Sequence, residues 1–140
     1  MKPIINKFVV FAFAAGSVAV AGAQDLQGPW TLRIDNMEHR EISSLTIRFT
    51  DKAAPSCMAG NWKRVIVERS KTTNKEFFPM SEPLSYQIVG SELTIGRNEV
   101  CDGYLHLRGK LDASGARGTY SGFGISGGDQ LGHFLLKRDN

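Results

Sequence analysis

Ser85-Tyr86-Gln87-Ile88-Val89-Gly90-Ser91-Glu92-Leu93-Thr94-Ile95 reads as a β-hairpin. Tyr86 and Ile88 lead in, Leu93 and Ile95 lead out, and polar neighbours alternate with most of them. That period of two is the mark of a half-buried strand. Gly90-Ser91 separates the two runs, and glycine supplies the positive φ that a tight hairpin turn requires. Downstream, Leu105, Leu107, Gly109 and Leu111 alternate with His106, Arg108 and Lys110. The chain then turns over residues 112–116 and returns over 117–121. A last strand over 131–137 carries Phe134 and Leu136, with Leu135 on its other face. Upstream, Trp30, Leu32 and Ile34 repeat the pattern against Thr31, Arg33 and Asp35. Leu45, Ile47 and Phe49 repeat it against Thr46, Arg48 and Thr50, and Val65-Ile66-Val67 marks a further strand.

About eight strands with short connections make an antiparallel meander, and no amphipathic helix interrupts it. A meander with one apolar face closes on itself or stacks as two sheets, and closure also removes exposed edges. The expected fold is therefore all-β, a small closed barrel over residues 24–140. Residues 38–44 and 77–83 read as loops or single turns, the second because Pro79 and Pro83 lack the ladder donor. The glycine-rich stretch 121–129 reads as a flexible hairpin loop.

Residues 1–23 read as a secretory signal peptide. Lys2 and Lys7 start it, Phe8 to Ala15 and Val18 to Ala21 are apolar, and Ala21-Gly22-Ala23 is a small-x-small cleavage site. The apolar part is short and broken by Gly16 and Ser17, which disfavours the alternative of an uncleaved anchor. Cleavage leaves a periplasmic or secreted protein with no lasting membrane anchor. Losing Lys2 and Lys7 reduces Lys+Arg from 17 to 15, against 14 Asp+Glu. So balanced a charge does not fit a nucleic-acid binder. In an oxidising compartment Cys57 and Cys101 are expected to form a disulfide. No CxxC spacing accompanies them to make a metal site.

Leu26-Gln27-Gly28-Pro29-Trp30 and Phe134-Leu135-Leu136-Lys137-Arg138 resemble the two ends of lipocalin- and avidin-type (calycin) barrels. Gly118-Thr119-Tyr120 resembles an avidin-type strand. In those families a Gly-x-Trp opens the first strand and a basic residue after the last strand packs over that Trp. The resemblance implies a barrel sealed by Arg138 or Lys137 over Trp30. The opening and the single cysteine pair are also similar to small periplasmic barrels that inhibit secreted metalloproteases.

No enzymatic signature emerges. Ser121 and Ser126 lie outside any Gly-x-Ser-x-Gly, and no phosphate-binding loop opens a helix. His39, His106 and His133 show no ligand spacing, although a barrel can gather distant histidines. No catalytic residue, metal or cofactor is expected. Two readings remain. In the first, a small apolar or amphipathic ligand sits in an interior lined by Trp30, Phe49, Tyr86, Tyr104, Tyr120 and Phe134. In the second, the chain inhibits a hydrolase or docks on another secreted or envelope protein. Loops at 38–41, 52–61 and 123–131 and exposed Phe77 and Phe78 would then make the contact. An internal cavity marks the first reading. A filled core with exposed apolar loop residues marks the second.

Overall fold

A computed structural model describes residues 24–80 and 83–140; the expected signal peptide, residues 1–23, lies outside them. The alternating segments form β1 (Trp30–Asn36), β2 (Glu41–Ala53), β3 (Lys63–Thr72), β4 (Leu84–Val89), β5 (Glu92–Arg97), β6 (Gly103–Asp112), β7 (Gly115–Gly124) and β8 (Gly127–Arg138). Each pairs antiparallel with its neighbour, and β1 pairs with β8, so the meander closes into a barrel. The closing seam runs from Trp30↔Arg138 to Asn36↔Gly132. The β3–β4 seam is short, from Lys63↔Tyr86 to Val65↔Leu84. Gly90 takes a φ of 63°, the positive value a II′ hairpin turn needs at its first central position.

Period-two alternation sends Trp30, Leu32, Ile34, Leu45, Ile47, Val65, Leu93, Ile95, Leu107, Phe134 and Leu136 into one buried core. Charged side chains such as Arg48, Glu68, Arg108 and Arg117 point outward and are exposed or partly exposed. An apolar inside and a charged outside reverse the pattern of an outer-membrane barrel. At the end where β1 starts and β8 stops, the Arg138 guanidinium lies 4.5 Å from the centre of the Trp30 ring. Its Nη1 donates to the Gln27 carbonyl at 2.7 Å and its Nη2 to that of Asp25. A cation over an indole, desolvated on one side, caps Trp30 and clamps the N-terminal segment.

Three local expectations change. Strand β2 begins at Glu41, so residues 41–44 are strand and not loop. Charge misled there, because Glu41 sits on the outer face, where its carboxylate reaches Arg33. The stretch 121–129 is mostly strand as well, and only Ile125 and Ser126 lie between β7 and β8. Its glycines serve close approach: a Cβ at Gly128 would stand 2.7 Å from Phe123 Cβ, and one at Gly124 would stand 2.8 Å from the Asp102 carbonyl oxygen. Tyr104 points outward and not into the barrel. Leu105 and Leu107 take the inner face of β6, so Tyr104 and His106 fall on the other parity.

Candidate functional site

The barrel interior is occupied by its own side chains. Trp30, Tyr120 and Phe134 are buried core residues, and Phe49 stands edge-on to both Trp30 and Tyr86 at 6.0 and 4.8 Å between centroids. At the end where β3 stops and β4 starts, the connection between them folds inward as a stopper. Phe78 is fully buried and packs edge-on against Tyr120 at 5.6 Å, with Phe77 edge-on at 5.2 Å. The Tyr120 hydroxyl donates to the Phe77 carbonyl at 2.5 Å. Burial raises the Tyr120 pKa to about 12, so the phenol keeps that proton. The contact surface expected of Phe77 and Phe78 therefore has no exposed side chain at Phe78, and Phe77 is half-buried.

The opposite end opens into a cleft of about 1010 Å³. Phe49, Tyr86 and Leu111 line its apolar part, with Leu26 of the clamped N-terminal segment and Ile88 beside them. Asp51, Asn61, Lys63 and Gln87 add polar groups. Lys63 Nζ donates to Asp51 Oδ1 at 2.9 Å, and that bond raises its pKa, which keeps an ammonium in the cleft. Tyr86 donates its hydroxyl to the Thr50 carbonyl at 2.9 Å and so presents its ring. Of the aromatic residues expected to meet a ligand, Phe49 and Tyr86 line this cleft. Trp30, Tyr120 and Phe134 belong to the filled core, and Tyr104 lies outside.

The expected Cys57–Cys101 disulfide forms, and it shapes a second feature. The β2–β3 connection, residues 54–62, is a strap across the outside of the barrel. The Cys57–Cys101 disulfide pins it to the β5–β6 connection, and the Cys57 N–H donates to the Asn98 carbonyl at 2.9 Å. Beneath it lies an outer aromatic cluster in which Trp62 and Phe123 approach His106 at 5.7 and 4.8 Å. His106 is only 4 % exposed. Asn98 Nδ2 donates to Ser85 Oγ at 3.1 Å, so Asn98 Oδ1 is the acceptor for His106 Nε2–H at 2.6 Å. Nδ1 keeps its lone pair, buried and without a partner.

Burial foremost, and the Arg108 charge after it, lower the His106 pKa from 6.5 to about 4. The unfolded chain then binds more protons than the folded one between those values. This share of stability is fully present above pH 6.5 and is lost as pH falls towards 4. In urea unfolding, His106→Gln should show a shallower loss of stability than the wild type between pH 6.5 and 4. Equal slopes would show that His106 takes up protons equally in the folded and unfolded states, so that burial does not lower its pKa.

The barrel also brings together two histidines distant in sequence. His39, in the β1–β2 turn, stacks on His133 of β8, with centroids 4.2 Å apart and planes 15° from parallel. Among the described residues, no group of three His, Cys, Asp or Glu side chains is placed to hold a metal ion.

No protein-family model matches the chain, and no curated protein or solved structure shows significant similarity to it.

Proposed function

We propose that this is a periplasmic or secreted, non-enzymatic binding barrel of lipocalin-like kinship, which takes a small amphipathic ligand in its end cleft. The observation that carries this reading is the large open cleft at one end of a barrel whose interior is filled. The ligand's apolar part would bury against Phe49, Tyr86, Leu26 and Ile88, and Lys63 would orient an acidic or polar group. The site thus moves from the barrel interior to its mouth. The Arg138–Trp30 contact supports the kinship and also fixes one wall of the cleft.

Native mass spectrometry of protein purified gently from its own source tests this directly. A retained mass of a few hundred daltons is expected. Ile88 is partly exposed, so Ile88→Glu should abolish retention while leaving the melting temperature within about 2 °C, as for a surface change. Retention by Ile88→Glu would remove the cleft from the proposal.

A protein-contact reading has one observation in its favour. Ile125, at the tip of the β7–β8 hairpin, is 88 % exposed, and Val100 of the nearby β5–β6 connection is exposed too. Together with the filled core, they meet the criterion for an inhibitor or envelope-interaction module. A bare mass, with a partner captured by the wild type and lost in Ile125→Asp, would favour that reading over ligand binding.

A further inference from the structure

On the outer face, beside the β6–β7 turn, three cations meet on neighbouring strands. Lys110 of β6 is the cross-strand partner of Arg117 of β7. Lys137 of β8 pairs with Gly115, two residues before Arg117. Residues directly opposite each other share a face with Cβ atoms about 4.5–5.5 Å apart, and diagonal neighbours stay within reach of long side chains. All three cations line one hollow of about 250 Å³, with Asp112, Ser114 and Leu135 also in its wall. The hollow shares no residue with the ligand cleft.

Like charges directly opposite each other on paired strands are destabilising. Elsewhere on the outer face Arg33, Arg48, Arg64 and Arg108 each reach a carboxylate. Among the described residues Lys110, Arg117 and Lys137 form no ion pair. Glu92 faces Lys110 across the β5–β6 seam, but its Oε1 engages Arg108 Nε at 3.4 Å. Asp112 is held by its own turn, where its Oδ1 accepts the N–H and the hydroxyl of Ser114 at 2.8 and 2.6 Å. Three positive charges therefore face one carboxylate in the hollow.

We propose that this hollow is an anion site for a phosphate group, supplied by free phosphate or by the headgroup of an anionic lipid. The planar fork of Arg117 suits two oxygens of a tetrahedral oxyanion, and Lys110 and Lys137 supply point charges on either side of it. An anion seated there relieves the repulsion between β6 and β7 and ties their hairpin to β8. The three cations are exposed or open to solvent, so the group can be presented on a larger molecule.

Two arms test this on the untagged protein. Inorganic phosphate is titrated by calorimetry at constant ionic strength, which holds screening fixed. Vesicles of phosphatidylcholine, with and without phosphatidylglycerol, are tested by co-sedimentation. Saturable binding of inorganic phosphate assigns the free ion, and binding of the phosphatidylglycerol vesicles alone assigns the headgroup. Arg117→Glu should weaken either kind of binding about tenfold or more. Its carboxylate faces Lys110, so an opposite-charge pair replaces a like-charge one and the melting temperature should not fall. Lys137→Gln, at an exposed position, is the second variant and should weaken binding severalfold. Arg69→Glu makes the same change in net charge on β3, outside the hollow, and should leave binding intact. No saturable binding in either arm, wild-type affinity in both hollow variants, or an equal loss in Arg69→Glu would overturn the proposal. Ligand retention in the cleft is read separately, so the two proposals stand or fall apart.

Discussion

Phe78→Ala is expected to lower the free energy of unfolding by about 3–5 kcal/mol, the usual cost of truncating a fully buried aromatic side chain. The ring has no exposed surface, so the substitution loses its whole transfer energy and leaves a void behind. The edge-on contact with Tyr120 goes as well, worth about 0.5–1.5 kcal/mol beyond burial in comparable pairs. Phe78 also holds the β3–β4 connection inside the barrel, and the hydrogen bond from Tyr120 to the Phe77 carbonyl depends on that placement. Urea unfolding followed by tryptophan fluorescence measures the effect. A loss below about 1 kcal/mol, the range of ordinary surface changes, would show that the stopper is not part of the cooperative core.

Cys57→Ser should cost about 4 kcal/mol through the regained entropy of the unfolded chain, since the bridge spans a sequence separation of 44. For a domain of this size that corresponds to roughly 10–20 °C in melting temperature. A second readout separates chain entropy from the strap itself. Without the disulfide, residues 54–62 lose their tie to the β5–β6 connection and uncover His106. Since burial is the main cause of its lowered pKa, its titration midpoint should climb from about 4 back towards 6.5. Proton NMR of the imidazole follows that shift. An unmoved midpoint together with a lowered melting temperature would mean that Trp62 and the backbone hydrogen bond from residue 57 to Asn98 keep the strap docked.

Much of the barrel was legible because period two is a local signal. Trp30, Leu32 and Ile34, or Leu45, Ile47 and Phe49, announce their faces without any knowledge of their neighbours. The contact of Arg138 over Trp30 followed from the resemblance at the chain ends. Features that depend on distant segments were not legible. His106 has a polar, outward position on its strand, and the strap with Trp62, brought from another part of the chain, covers it together with Phe123 of β7. Tyr104 was read as interior on its aromatic character, although the parity of Leu105 and Leu107 already placed it outside. Phe78 sits among prolines and charges that read as surface, and its burial depends on the space above Tyr120. The glycines from 122 to 128 read as loop because composition does not separate a flexible turn from strands that pass too closely for a side chain. The cleft joins the N-terminal segment to the β4–β5 turn, and no local pattern connects them.

The β1–β8 seam has a consequence for how the molecule is made. Trp30 pairs with Ile47 of β2 on one side and with Arg138 of the last strand on the other. During synthesis the β8-facing edge of β1 therefore stays open until all the other strands have emerged, and closure comes after all the hairpins. Such pairing between the first and last strands of a barrel carries its highest loop-closure cost and is slow. Stop codons or frameshifts within the last strand would leave β1 and β7 as permanent templates for self-association. Strand β8 thus decides whether the barrel's two edges close.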